Sequence, residues 1–147
     1  CIRFGGEVIN ADSRQVYRSM DIGTAKPTAA EQFQTPHHLI DLLEPSETFG
    51  LGSFLNLAKE ASDDIVSRGR IPFLTGGTGQ YVWAMLEGQS VPPVPPNPAL
   101  REELEREALI EGGAQVLHNR LMAIDPARAD ALDARNVRRV IRALEIH

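Results

Sequence analysis

The 147 residues are enough for a domain with a core of its own. Hydrophobic residues make up 42% and charged residues 24%, the balance of a soluble protein, and no apolar run reaches the ~20 residues that a bilayer-crossing helix needs. A single cysteine excludes an internal disulfide and a multi-cysteine zinc site, and a net charge of −5 sets the chain apart from uniformly basic nucleic-acid binders.

Residues 1–6 read as the end of a helix stopped by Gly5-Gly6. The chain starts at Cys1 and stops inside a helical pattern, so it is expected to be a piece of a longer protein. Glu7 to Ala11 predicts a buried strand, and Asp12 to Pro27 an ordered loop with a helical turn at Ser13 to Arg18. Thr28-Ala29-Ala30-Glu31 has capping-box spacing and opens a short helix. His38 to Leu43 predicts a second strand, ended by Pro45. Ser53 to Arg68 predicts a helix, because Phe54, Leu57, Ala58, Ala61 and Ile65 recur at helical spacing and Gly69 follows as a stop. Ile71 to Leu74 is apolar throughout, as a parallel strand covered on both faces should be. Thr75-Gly76-Gly77-Thr78-Gly79 turns it into a helix over Gln80 to Glu87.

This alternation predicts a parallel α/β sheet. The tract Val91-Pro92-Pro93-Val94-Pro95-Pro96-Asn97-Pro98 then favours extended chain and marks a boundary. Beyond it the pattern is helical over Pro98 to Glu111, Ala114 to Ile124, Pro126 to Leu132 and Val137 to His147.

Three places carry candidate chemistry. Asp12, at the end of the first strand, sits where open α/β sheets place their ligand crevice. There it either caps the following turn or acts as a base toward an attacking amine. Gly76-Gly77-Thr78-Gly79 is either a tight turn with Thr78 as N-cap or an anion cradle at a helix N-terminus. On the last helix Arg138 and Arg142 fall on one face with Arg139 beside them, either as a solvated face or as a grip on a diphosphate or an RNA backbone. Thirteen of the fifteen basic residues are arginine, whose planar fork suits phosphate, although a GC-rich genome has the same effect. His37, His38 and Asp41 do not suggest a metal site, since adjacent strand residues point to opposite faces. Gly23-Thr24-Ala25-Lys26-Pro27 lacks the ending and the preceding strand of a P-loop.

The segment Asp12-Ser13-Arg14-Gln15-Val16-Tyr17, followed by Met20-Asp21-Ile22-Gly23-Thr24-Ala25-Lys26-Pro27, closely resembles the substrate-binding segment of the tRNA dimethylallyltransferase family. Blocks at His38 to Glu47 and Ile71 to Gly88, and the arginine helix Asn136 to Glu145, carry the same resemblance. It implies a P-loop NTPase-like α/β core over residues 1–90, a helical, tRNA-binding insertion over 91–135, and a helix over 136–147 returning to the core. It further implies transfer of a dimethylallyl group from dimethylallyl diphosphate to N6 of adenosine 37, in the anticodon stem-loop of tRNA. Asp12 becomes the general base, Ser13, Arg14 and Gln15 tRNA contacts, and Thr78 a catalytic residue touching both tRNA and diphosphate. Arg101, Arg138, Arg139 and Arg142 become tRNA contacts, Arg139 and Arg142 also holding diphosphate. Mg2+ as cofactor, a monomer and a cytoplasmic setting complete the implication. The family's P-loop and C-terminal region have no counterpart in these residues, so the 147 residues alone are expected to be inactive. An adenylate prenyltransferase and a P-loop small-molecule kinase are the alternatives; the Asp-Ser-Arg-Gln segment speaks against the kinase. An RNA-binding module without catalysis is a third.

Overall fold

Five consecutive buried residues, Gly6–Asn10, form β1, the middle strand of a three-stranded parallel sheet ordered β2-β1-β3. In the computed structural model, which describes residues 1–92 and 94–147, the chain clusters into two units, Cys1–Val91 and Pro92–His147. Pro93, in the proline tract, lies outside the described residues.

In the first unit a 3-10 turn at Ile2–Phe4 ends on left-handed Gly5 and leads into β1. α1 (Ala29–Gln34) opens with the predicted capping box: the Thr28 hydroxyl accepts from the Glu31 N–H, and the Glu31 carboxylate accepts from the Thr28 N–H. β2 (His37–His38) and β3 (Ile71–Thr75) flank β1, with Ile9 opposite both His38 and Leu74. α2 (Leu51–Ser67) lays Phe54, Ala58 and Ile65 into a core with Ile9, Ala11, Leu39 and Tyr81. Tyr81 comes from α3 (Gly79–Leu86), and its ring stacks on Phe54 at 4.3 Å between centroids.

Two strand expectations change. The predicted second strand is only two residues long, because Leu39 and Asp41 adopt positive φ (63° and 54°) and bend the chain away. Its remainder pairs instead with the loop after β1: Leu42 N–H donates to Val16 O at 2.8 Å, Arg18 N–H donates to Leu43 O at 2.8 Å, and Tyr17 bridges Leu43. β3, expected to be covered on both faces, lies at the sheet edge, and its Ile71 is half exposed.

At the start of β1 the buried Glu7 carboxylate gathers Arg68, Arg70 and His38. The Arg68 Nη2 lies at 2.8 Å, the Arg70 Nη1 at 2.7 Å and the His38 Nε2 at 2.7 Å. Hydrogen bonding from Arg68 above all, against the opposing effect of burial, holds this carboxyl well below the usual carboxylate range.

The described residues of the second unit form four helices: α4 (Pro98–Ala108), α5 (Gly113–Ile124), α6 (Pro126–Asp130) and α7 (Val137–Ile146). Side chains of Asn97, Asp125 and Asn136 cap α4, α6 and α7, and proline occupies the first turn of α4 and α6. Leu104, Leu117, Leu121, Ala129, Val140, Ile141 and Leu144 share one core. α7 therefore groups with the helical unit. Its strongly amphipathic face is filled by α4 and α5. No described helix is long and apolar enough to cross a membrane.

Inside this unit Glu145 on α7 is buried and accepts from the Asn97 N–H at 2.6 Å and from Arg101 Nε at 2.9 Å and Nη2 at 2.7 Å, with Arg142 as a further partner. The Arg101 hydrogen bonds, foremost, depress its carboxyl from 4.5 to about 2. A depressed carboxylate contributes stability above its unfolded value, and that contribution disappears as pH falls from 4.5 toward about 2. Glu145→Gln is accordingly expected to lower the urea midpoint at pH 7. The gap to the parent should close as pH falls through that window, and a gap independent of pH would remove the ion pairs as its cause.

Candidate active site

The end of β1 and the turn after β3 are laced together by backbone contacts. Ala11 N–H donates to Thr75 O at 2.6 Å, and Thr78 N–H donates back to Ala11 O at 3.0 Å. Gly76, at φ 156°, lies so close to β1 that an added Cβ would stand 2.2 Å from the Ala11 carbonyl carbon. Only glycine permits that approach.

Asp12 leaves the strand directly above this turn. Its Oδ1 accepts from the backbone N–H of Arg14 at 2.8 Å and of Gln15 at 3.4 Å, so the capping reading is realised. Its Oδ2 points toward Gly77, where an added Cβ would be 3.3 Å away. The two readings of Asp12 are thus compatible, one oxygen shaping the loop and the other facing the glycine turn.

Thr78 precedes α3 as N-cap residue, but its hydroxyl does not cap that helix. It accepts from the Ser13 N–H at 2.9 Å, across 65 positions of sequence. The Tyr81 N–H donates to Thr78 O at 2.9 Å, whereas no Thr78 side-chain cap serves the Gly79 and Gln80 amides before it, the ones that could face an anion.

Asn10 was not singled out from sequence. This buried side chain donates to Leu39 O at 3.0 Å and to Asp12 O at 3.3 Å, and accepts from the Asp12 N–H at 3.2 Å. A polar residue closing an apolar strand was the available signal. Gln15 Nε2 is engaged with Thr24 O at 3.0 Å and Ala25 O at 3.3 Å, so its donor serves the loop, while Arg14 is exposed.

The four arginines belong to the helical unit and divide into two pairs. Arg101 and Arg142 meet on Glu145, and Arg142 also donates to Val94 O at 2.9 Å. Arg138 and Arg139 are exposed and have no ion-pair partner among the described residues. Arg138 lines an open recess with Asp133, Arg135, Asn136 and Val137. Hydrogen bonds from Arg135 hold the Asp133 carboxyl at about 2, so that acid and base offset each other beside the recess.

Among the described residues no three His, Cys, Asp or Glu side chains gather around a cation position. At the glycine turn the nearby acid is Asp12, and one of its oxygens is committed to backbone amides. A Mg2+ held here would take most of its oxygens from substrate phosphates and water.

The family model described as IPP transferase matches residues 15–147. The chain belongs to the IPP transferase family. Among its relatives, the tRNA dimethylallyltransferase of Chloroflexus aggregans is 57% identical over 99% of this chain and 49% of its own length. That of a Roseiflexus species is 54% identical over 99% and 47%. The crystal structure of a full-length tRNA isopentenylpyrophosphate transferase from Bacillus halodurans is 50% identical, with a TM-score of 0.59 over 98% of this chain and 47% of that one. A eukaryotic dimethylallyltransferase acting on tRNA is 32% identical, with a TM-score of 0.80 over 98% and 35%. This IPP transferase chain spans about half the length of the curated relatives it matches.

Proposed function

We propose that the protein carrying this chain transfers a dimethylallyl group from dimethylallyl diphosphate to N6 of adenosine 37 in tRNA. The observation that carries the reading is the convergence of Asp12 with the Gly76–Gly79 turn, supported by membership of the IPP transferase family. In this reading the Asp12 Oδ2 orients the exocyclic amine and takes its proton as nitrogen attacks the allylic carbon. The carbon–oxygen bond to diphosphate breaks, and the leaving group departs with the electron pair. The Gly77, Gly79 and Gln80 amides, at the turn and the start of α3, stabilise the charge that grows on it. The base must leave its stack to reach the pocket, at a cost of a few kcal/mol that an anticodon loop, already partly unstacked, reduces. Arg138 and Arg139, without ion pairs among the described residues, would meet RNA phosphate; Arg101 and Arg142 would act through the shape of the helical unit.

The test uses the full-length protein with dimethylallyl diphosphate and either tRNA or AMP as acceptor. Prenylated nucleoside is identified by mass after digestion. Product on tRNA with little on AMP is expected. Preference for AMP would move the protein to the cytokinin-forming class, and product on neither would end the prenyl-transfer reading.

A further inference from the structure

The loop after β1 contains a buried ammonium that the chemistry above does not use. Lys26 is one of only two lysines in a chain with thirteen arginines, and its side chain is 3% exposed. Its Nζ donates to Tyr17 O at 2.7 Å, Asp21 Oδ1 at 2.7 Å and Asp41 Oδ1 at 2.6 Å. Three donors therefore meet three oxygens, with none left over. Burial alone lowers its pKa, but the two carboxylates outweigh that effect and the pKa lies above the ordinary lysine value.

The three oxygens come from separate turns of chain. Tyr17 ends the Asp12–Tyr17 stretch, Asp21 opens the next turn, and Asp41 belongs to the segment after β2. The same stretches hold Ser19, Ala25, Leu39 and Asp41, the four non-glycine residues with positive φ among the described residues. Such conformations persist only where the surroundings over-determine them. Gln15 adds a second tie from the first half of the loop to Thr24 and Ala25.

We propose that Lys26 is a positioning residue: its three-oxygen clasp fixes the loop that aims Asp12 and Ser13 at the glycine turn. It touches no reacting atom; its effect reaches the chemistry through the loop, and in that respect it rests on the prenyl-transfer reading. A compact tetrahedral ammonium fits three converging oxygens where a planar guanidinium does not. That accounts for lysine at this position in a chain that otherwise favours arginine.

The experiment compares full-length parent, Lys26→Met, Lys26→Arg and Asp41→Asn, with Lys59→Met as a control at an exposed position. kcat, and KM for each substrate, are measured well below the melting midpoint. Amide hydrogen exchange over residues 13–26 is followed beside that of residues 54–65. Lys26→Met is expected to lower kcat about tenfold or more, with KM for dimethylallyl diphosphate within twofold. It should also speed exchange in the loop about tenfold while α2 is unchanged. Lys26→Arg should not restore either quantity. A folded Lys26→Met protein with parental kcat and parental loop exchange overturns the proposal, and so does full rescue by arginine. Where Lys26→Met does not fold, Asp41→Asn decides: faster loop exchange with lowered kcat supports the clasp, and parental behaviour overturns it. A parent that transfers no prenyl group would sink the proposed function, and loop exchange would still decide the clasp.

Discussion

Asp12→Asn in the full-length protein is expected to depress prenyl transfer by about 10²-fold or more and to leave folding nearly unchanged. The amide retains an oxygen for the Arg14 and Gln15 N–H groups that Oδ1 now serves, and asparagine caps about as well as aspartate. What disappears is the anionic oxygen facing Gly77. Asp12→Ala removes both functions and should add a stability cost of about 1 kcal/mol from the lost cap. Single-turnover transfer to tRNA separates these effects, because melting reports the cap and the rate reports the base. Parental turnover in Asp12→Asn would take Asp12 out of the base role and leave it a loop-former.

Gly76→Ala should be severely damaging for the addition of a single methyl. The new carbon would lie 2.2 Å from the Ala11 carbonyl carbon, 2.4 Å from its oxygen and 2.6 Å from the Asp12 nitrogen, all of them backbone atoms. Neither neighbour is the flexible end of a side chain, so β1 and the turn must part. A loss of roughly 3 kcal/mol or more is expected, together with loss of transfer, because the displaced atoms carry Asp12. Gly79→Ala is the companion measurement. Nothing lies within 4 Å of its added carbon, and alanine suits the first turn of a helix. Its urea midpoint should match or exceed that of the parent. Equal midpoints for Gly76→Ala and the parent would show that the turn and the strand are not locked together.

The features legible in the sequence were those whose causes are local. The capping box at Thr28–Glu31, the amphipathic spacing of α2 and the strand–glycine–helix passage at residues 71–79 each depend on residues a few positions apart, and each formed. The convergence of Asp12 with the glycine turn followed from strand topology, since ligands gather where parallel strands end. The parts that escaped depend on partners far along the chain. The shortness of β2 comes from backbone bends at Leu39 and Asp41, and nothing in His38 to Leu43 announces them. The grouping of α7 escaped because an amphipathic helix shows that it buries a face but not which core receives it. The meeting of Arg101 and Arg142 on the buried Glu145 also escaped, because a glutamate late in a charged helix looks like surface.

The opposite ends of the central strand are secured by unlike means. Glu7 bolts its entrance to Arg68 after α2, Arg70 before β3 and His38 on β2, whereas its exit depends on Asn10 and neighbouring turns. The scaffold's foundations therefore lie away from the loops that would meet substrate. Exposed loop positions such as Arg14 and Ile22 can be diversified in a selection for new acceptors while the ionic anchorage goes untouched, provided that Gln15, the buried Val16, and Lys26 with its carboxylates are spared.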